Sequence, residues 1–212
     1  MSNAVAANKA KATGIYGLVS VIAGAFLIVA GLATWIAVSS FLKSEDITVA
    51  GDAAMFAGQT VDSPWTAFAQ ADIINQHALD STNGETYATL GGIVSQHKAA
   101  AIEAAGGDSA DEAVVAAINS LNIAALNELG ADESVIASTE AAAAAQGQRT
   151  THMNASFLRA SLFTSVVAFG VAALVMGVGL LFVLLGLAIR NLNKDEGVVV
   201  VAEAPADAVA QE

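Results

Sequence analysis

Two long stretches of this chain carry no charge at all, and they constrain the fold more than anything else in it. Ala12–Leu42 gives 31 consecutive residues without Asp, Glu, Lys or Arg, and Ala160–Ile189 gives 30. A bilayer core of about 30 Å needs roughly 20 helical residues at 1.5 Å rise. Each run can therefore cross a membrane with about two turns to spare, which implies tilt or a helix that continues beyond the lipid. The spanning parts are expected at Tyr16–Ile36 and Phe163–Leu187. The competing reading of the first run is a signal peptide, with Lys9 and Lys11 as its basic start. Its apolar region would be about 7–15 residues long and end at a small-residue cleavage site. This run is twice that length, and Trp35, Ile36, Phe41 and Leu42 occupy the stretch where cleavage would fall. An uncleaved helix is the expectation.

Composition agrees. Hydrophobic residues make up 55% of the 212 and charged residues 13%, half the share of an ordinary soluble domain. That leaves too little polar material to cover so large an apolar core, so a conventional soluble enzyme and a disordered chain are both disfavoured. A net charge of −12 argues against nucleic acid, whose phosphates need a basic face. With no cysteine there is no disulfide, no thiolate metal site and no Cys nucleophile.

Positive charge sets the expected orientation. Lys9, Lys11 and the amino terminus precede the first run; Arg190 and Lys194 follow the second. Between them, Lys43–Leu158 holds fifteen acids against Lys43, Lys98 and Arg149. Both termini are therefore expected in the cytoplasm and the acidic middle outside. The organisation read from this is a cytoplasmic tail (1–13), transmembrane helix one (14–42), an extracytoplasmic acidic helical region (43–158), transmembrane helix two (159–190) and a disordered cytoplasmic tail (191–212). Its four-valine run, Val198–Val201, could be a strand or docking strip. The fold class is all-α, an integral membrane protein of the cytoplasmic membrane with two antiparallel transmembrane helices. Arg159, at the outer edge of the second run, is placed to snorkel to the headgroups; a functional charge inside the membrane is the alternative.

Glycines recur at sevens: Gly17, Gly24 and Gly31 in the first run, Gly170 and Gly177, then Gly179 and Gly186, in the second. Residues seven apart share nearly one helix face, and a face without Cβ atoms lets membrane helices approach closely. Against this stands the general abundance of glycine in membrane helices. Neither run has an ionisable group at its centre, so proton relays, ion pathways and voltage sensing are not expected of the chain alone.

In the middle segment strand signals are poor, and Ile47–Val49 is the only strand-like fragment before the first helix. A first helix is expected from Ser63 as N-cap and Pro64 at the first helical position, with Trp65, Phe68, Ala69, Ile73 and Gln76 at helical spacing. Asp80–Gly84 breaks it. A second helix is expected over Glu85–Ala105, with Tyr87, Leu90, Val94 and Ala101 on one side and Gly106-Gly107 after it. A third is expected from a capping box at Ser109 and Glu112 through to Leu129. A last helix from Asp132 or Glu133 runs through the alanines Ala141–Ala145, with a wobble at Gly147, straight into the second span. Alanine favours helix but buries little area, so a thin helical stalk is expected in place of a packed domain.

Chemistry is hard to find. His77, His97 and His152, with Glu85 or Asp72, could supply a two-histidine, one-carboxylate iron set. No metal-binding His spacing supports this, and no metal or cofactor is expected. Nor is there a nucleophile elbow or a phosphate loop; no catalytic residue is assigned. Trp65, Phe68, Tyr87 and His77 are the candidate ligand or partner surface; the plainer reading is that the aromatics hold helices together or rest on the membrane surface.

Three segments, Val61-Asp62-Ser63-Pro64-Trp65-Thr66-Ala67-Phe68-Ala69-Gln70-Ala71, Ile74-Asn75-Gln76-His77-Ala78-Leu79 and Met153–Gly170 (MNASFLRASLFTSVVAFG), resemble a group of small actinobacterial two-span membrane proteins of unknown role, often labelled aromatic ring-opening dioxygenase. The resemblance covers the first span, the first outer helix and the second span. It leaves the alanine-rich stretch from about His97 to Gln148 as an insertion. It implies the membrane location and the two-span architecture; no catalytic residue is carried over. The functional expectation is a structural or accessory interaction protein of the bacterial cell envelope. Its partners would be membrane lipid and another membrane or envelope protein, or a second copy of itself. The alternatives are a ring-opening dioxygenase or its subunit, and an extracytoplasmic ligand-binding or sensor module.

Overall fold

A computed structural model describes residues 2–199 of the chain, with side chains from 13 to 192. The rest of the tail, 200–212, and with it the end of the valine run, lies outside the described residues. Among those described there is no strand, and the order is α1 (Ser2–Ser44), α2 (Pro64–Asp80), α3 (Tyr87–Ala104), a 3₁₀ turn (Gly107–Ser109), α4 (Glu112–Asn119), α5 (Ile123–Glu128) and α6 (Glu133–Val199). The chain divides into two compact units: Met1–Ile47, Asp62–Pro64 and Ser165–Glu212 form one, and Thr48–Val61 with Trp65–Thr164 the other.

The first unit holds the uncharged runs. Stretches of α1 and α6 are long and apolar enough to cross a membrane, with mean hydropathy 2.4 and 2.7. Only 11% and 17% of these windows is buried inside the protein, whereas the central helix of a soluble core would be mostly covered. Helix continues past both uncharged runs, at the second into residues expected to be disordered. Ser2–Thr13 belongs to α1, and Asn191–Val199 continues α6, because no proline interrupts either stretch and alanine, leucine and lysine sustain a helix.

Glycine brings the two helices together. A Cβ on Gly17 would lie 3.0 Å from the Gly186 carbonyl oxygen; one on Gly24 would strike the Gly179 carbonyl; one on Gly31 would lie 2.8 Å from the Ala172 carbonyl. Gly179 and Gly186 are equally tight from the other side, at 2.6 Å from the Gly24 oxygen and 2.5 Å from that of Gly17. Backbones this close leave no volume for any side chain. Gly170 and Gly177 correct the expectation: a Cβ on either meets nothing within 4 Å. Gly170 and Gly177 share a different face of α6 from Gly179 and Gly186, since neighbours two apart diverge by about 200°. Ser20 donates to the Phe182 carbonyl at 2.8 Å, and Trp35 meets Phe169 edge-on at 4.7 Å. At the end of α1, Lys43 pairs with Asp62 at 3.2 Å and Ser39 donates to the Asp62 carbonyl.

The second unit has a small core of its own, which corrects the stalk expectation. Ala101, Ala117, Ile118, Leu126 and Val135 are buried together from α3, α4, α5 and α6. Elsewhere alanines share the buried positions with larger residues: Ala67 and Ala71 on α2 and Ala142 on α6 are fully covered, and so, to within 1%, are Val49, Val61 and Leu90. Alanine buries little area per residue, but its size lets helices approach until the backbones themselves are covered.

The helix ends follow local chemistry. The expected break after Asp80 is present, and α3 starts at a capping box in which Thr86 and Thr89 satisfy each other's backbone N–H. The expected third helix is two helices. Its N-cap is Asp111, whose carboxylate accepts from Ala113 N–H, while Ser109 sits in the 3₁₀ turn. It stops at Ser120, where Leu121 takes a left-handed φ of 58° and Asn122 N–H returns to the Ala117 carbonyl. That is a Schellman closure with leucine where glycine is usual, at a cost of about 1–2 kcal/mol for the left-handed backbone. Asn122 then caps α5 through Ala125 N–H. Ile118 and Leu126, both fully buried, flank the break and offset its cost. By contrast α6 runs through Gly147 without interruption, as expected.

Candidate functional site

The four residues singled out in the sequence are engaged separately. His77, near the end of α2, faces Asp52 at 2.7 Å. Phe68 meets Phe163 of α6 edge-on at 5.9 Å. Tyr87, at the first position of α3, lies beneath the Arg149 guanidinium, 4.1 Å from its ring centre. Trp65 is 69% exposed.

The His77 contact belongs to a structured loop. Thr48 and Thr60 form an antiparallel bridge, Val49 N–H donates to the Gln59 carbonyl, and Gly58 N–H donates back to the Val49 carbonyl, both at 2.9 Å. The expected strand-like fragment Ile47–Val49 thus survives as one bridge. Gln70 accepts from Ala50 N–H at 3.0 Å, so Gln70 and His77, two turns apart on α2, pin the loop at two places. Asp52 is held below the ordinary carboxylate range, first by its hydrogen bond with His77 and then by its own backbone N–H. The loop presents Met55 and Phe56, 57% and 37% exposed, with Phe56 at a left-handed φ of 61°. An aromatic residue in that region is strained, and such strain persists only where surrounding contacts over-determine the backbone. The crevice between loop and α2, lined by Ala53, Met55, Phe68 and Ile73, has about 20 Å³ of free space, room for one water and not for a small-molecule ligand.

His152 is buried, with Nε2 2.8 Å from the Thr82 hydroxyl oxygen. That hydroxyl also lies 2.8 Å from the Glu85 carbonyl and 3.0 Å from that of Ala78. Carbonyls only accept, and a hydroxyl has one hydrogen. When that hydrogen serves a carbonyl, His152 must donate from Nε2, and the group joins the α2–α3 turn to α6. Arg149 reaches Tyr87 across Gly91, where a Cβ would come 3.3 Å from its Nε. Sequence reasoning missed Asp52, Gln70, Thr82 and Arg149. The signal available was weak: a histidine and an arginine with no local partner on their own helix face.

Among the described residues no three His, Asp or Glu side chains gather as a metal-binding cluster. What the arrangement offers is a surface with a pinned loop, exposed aromatics and one small crevice beside α2. No family model, curated protein or solved structure matches the chain.

Proposed function

We propose that the chain is a two-pass protein of the cytoplasmic membrane with antiparallel transmembrane helices, cytoplasmic termini and an extracytoplasmic acidic helical unit, acting as a structural or accessory interaction protein of the bacterial cell envelope. The observation that carries this is the glycine seam. Contacts run in opposite sequence order, Gly17 with Gly186, Gly24 with Gly179 and Gly31 with Ala172, along helices whose other faces are apolar and uncovered. Such a seam supports close association without aqueous drive, and the runs it joins contain no Asp, Glu, His, Lys or Arg to serve transport. The outer unit adds its own core and the pinned loop with Met55 and Phe56 exposed, the part best suited to meet another envelope protein or a second copy.

The absence of native cysteine makes the test direct. Single cysteines at Ser95, Met55 and Asn191 are reacted in whole cells with a membrane-impermeant maleimide, and a photo-crosslinker is then attached at position 55. S95C and M55C are expected to label and N191C only after permeabilisation, with position 55 giving a discrete adduct. The reverse labelling pattern overturns the threading, and a chain that never forms an adduct overturns the interaction role.

A further inference from the structure

Arg159 is the last charge before the second uncharged run, and among the described residues it forms no ion pair. Among the described residues Lys43 has Asp62, Lys98 donates to the Asn119 carbonyl at 2.6 Å, and Arg149 stacks on Tyr87. The Arg159 guanidinium lies over Phe163, 5.9 Å from the ring centre, and its Nε, like that of Arg149, is buried without a hydrogen-bond partner. Phe163 in turn meets Phe68, and one turn before Phe68 stands the exposed Trp65. Phe157 and Leu158, 65% and 57% exposed, adjoin the arginine. What sets Arg159 apart from Arg149, which stands between Gln148 and Thr150, is this company of exposed large apolar groups around a cation, an anomalous surface for water.

Position along α6 explains it. Arg159 lies 15.5 residues from the midpoint of Ala160–Ile189, about 23 Å at 1.5 Å per residue. A bilayer with its headgroups extends about 20–22 Å from its centre, so the arginine falls at the phosphate level. Arg149, ten residues earlier, falls about 38 Å away, clear of the lipid.

We propose that Arg159, seated on Phe163, which in turn meets Phe68 one turn on from Trp65, is a binding site for the phosphate of an outer-leaflet phospholipid. The aromatics take the upper acyl and glycerol region, where Trp is favoured. With Nε covered, the terminal guanidinium N–H groups donate to the phosphate, a planar fork suited to two oxygens. This site rests on the two-span reading above, and the test separates the two.

Full-length protein is extracted in mild detergent, supplied with phosphatidylglycerol or phosphatidylcholine, and examined by native mass spectrometry. R159Q is expected to retain about fivefold less phosphatidylglycerol than the unaltered chain, the factor for one basic residue at a charged membrane surface. R159K keeps part of the difference, and R149Q leaves retention unchanged. In a W35F background, Trp65 fluorescence in vesicles is expected to be quenched more by a spin label at acyl carbon 5 than at carbon 12. Equal retention by R159Q, equal loss in R149Q, or a Trp65 quenched by aqueous iodide and by neither lipid label overturns the site. If both R159Q and the unaltered chain leave carbonate-washed membranes, the two-span reading fails; if both stay while retention is unchanged, only the lipid site fails.

Discussion

Replacing Gly24 with alanine adds one methyl group at the tightest point of the glycine seam. Its carbon would lie 2.7 Å from Val183 N and 2.8 Å from Val183 Cγ2, and closer still to the Gly179 carbonyl. Ordinary contact begins near 3.4 Å, so the helices must part locally by close to 1 Å. A gap of that size forfeits about a quarter to a half of each dispersion contact it opens. The methyl group meets backbone, which has no rotamer to escape into. Overpacking of this kind costs about 1–3 kcal/mol, or roughly 5- to 160-fold in the folded-to-unfolded ratio. Gly177→Ala is the control, because its Cβ meets nothing within 4 Å; its effect stays within about 0.5 kcal/mol. Adding Gly179→Ala to Gly24→Ala costs less than the sum of the singles, because the first methyl has already parted the helices that the second would strain. The assay is reversible unfolding by dodecyl sulfate in lipid bicelles, followed by Trp35 fluorescence in a W65F background, since Trp35 sits on Phe169 across the same pair. A Gly24→Ala chain as stable as its parent, or one no less stable than Gly177→Ala, refutes the reasoning.

Two further outcomes concern the outer unit. Thr82→Val keeps the shape but leaves buried His152 Nε2 without its partner, which costs about 1–3 kcal/mol; a thermal midpoint unchanged from the parent would show that the pair contributes nothing. Because Asp52 titrates below its unfolded value, its contribution is present above the ordinary carboxylate range near 3.9 and is lost as pH falls through the lowered value. Proteolysis within 50–60 should therefore accelerate on acidification below that range and, at neutral pH, in Asp52→Asn; identical cleavage of parent and variant across the range would remove the pair from the account of the loop.

What the residues disclosed, and what they hid, divides along the range of the interaction. Lack of charge over some thirty residues is a property of a run, so the two long apolar helices were readable, as was the start of α2 at Ser63-Pro64. The passage of α6 through Gly147 was readable too, because one glycine costs a long helix only about 1 kcal/mol. The split of α4 from α5 was not, since the left-handed position is Leu121, and nothing in a leucine advertises it. Spacing by sevens correctly named Gly17, Gly24, Gly31, Gly179 and Gly186 as close approaches, yet could not say which of the two α6 series faces α1. The contacts of His77 with Asp52, His152 with Thr82 and Arg149 with Tyr87 join residues 25, 70 and 62 positions apart. No periodicity reports on those. The aromatics were legible only as candidates: Phe68 and Tyr87 meet Phe163 and Arg149, far along the chain, while Trp65 stays exposed.

The even share of alanine among the outer unit's buried positions has a thermodynamic consequence. Unfolding uncovers small methyl groups and backbone beside larger side chains such as Leu90, Ile118 and Leu126, and apolar exposure is what gives unfolding its heat capacity while polar exposure subtracts from it. The unit's stability curve should therefore be flatter than that of a leucine-rich domain of the same size.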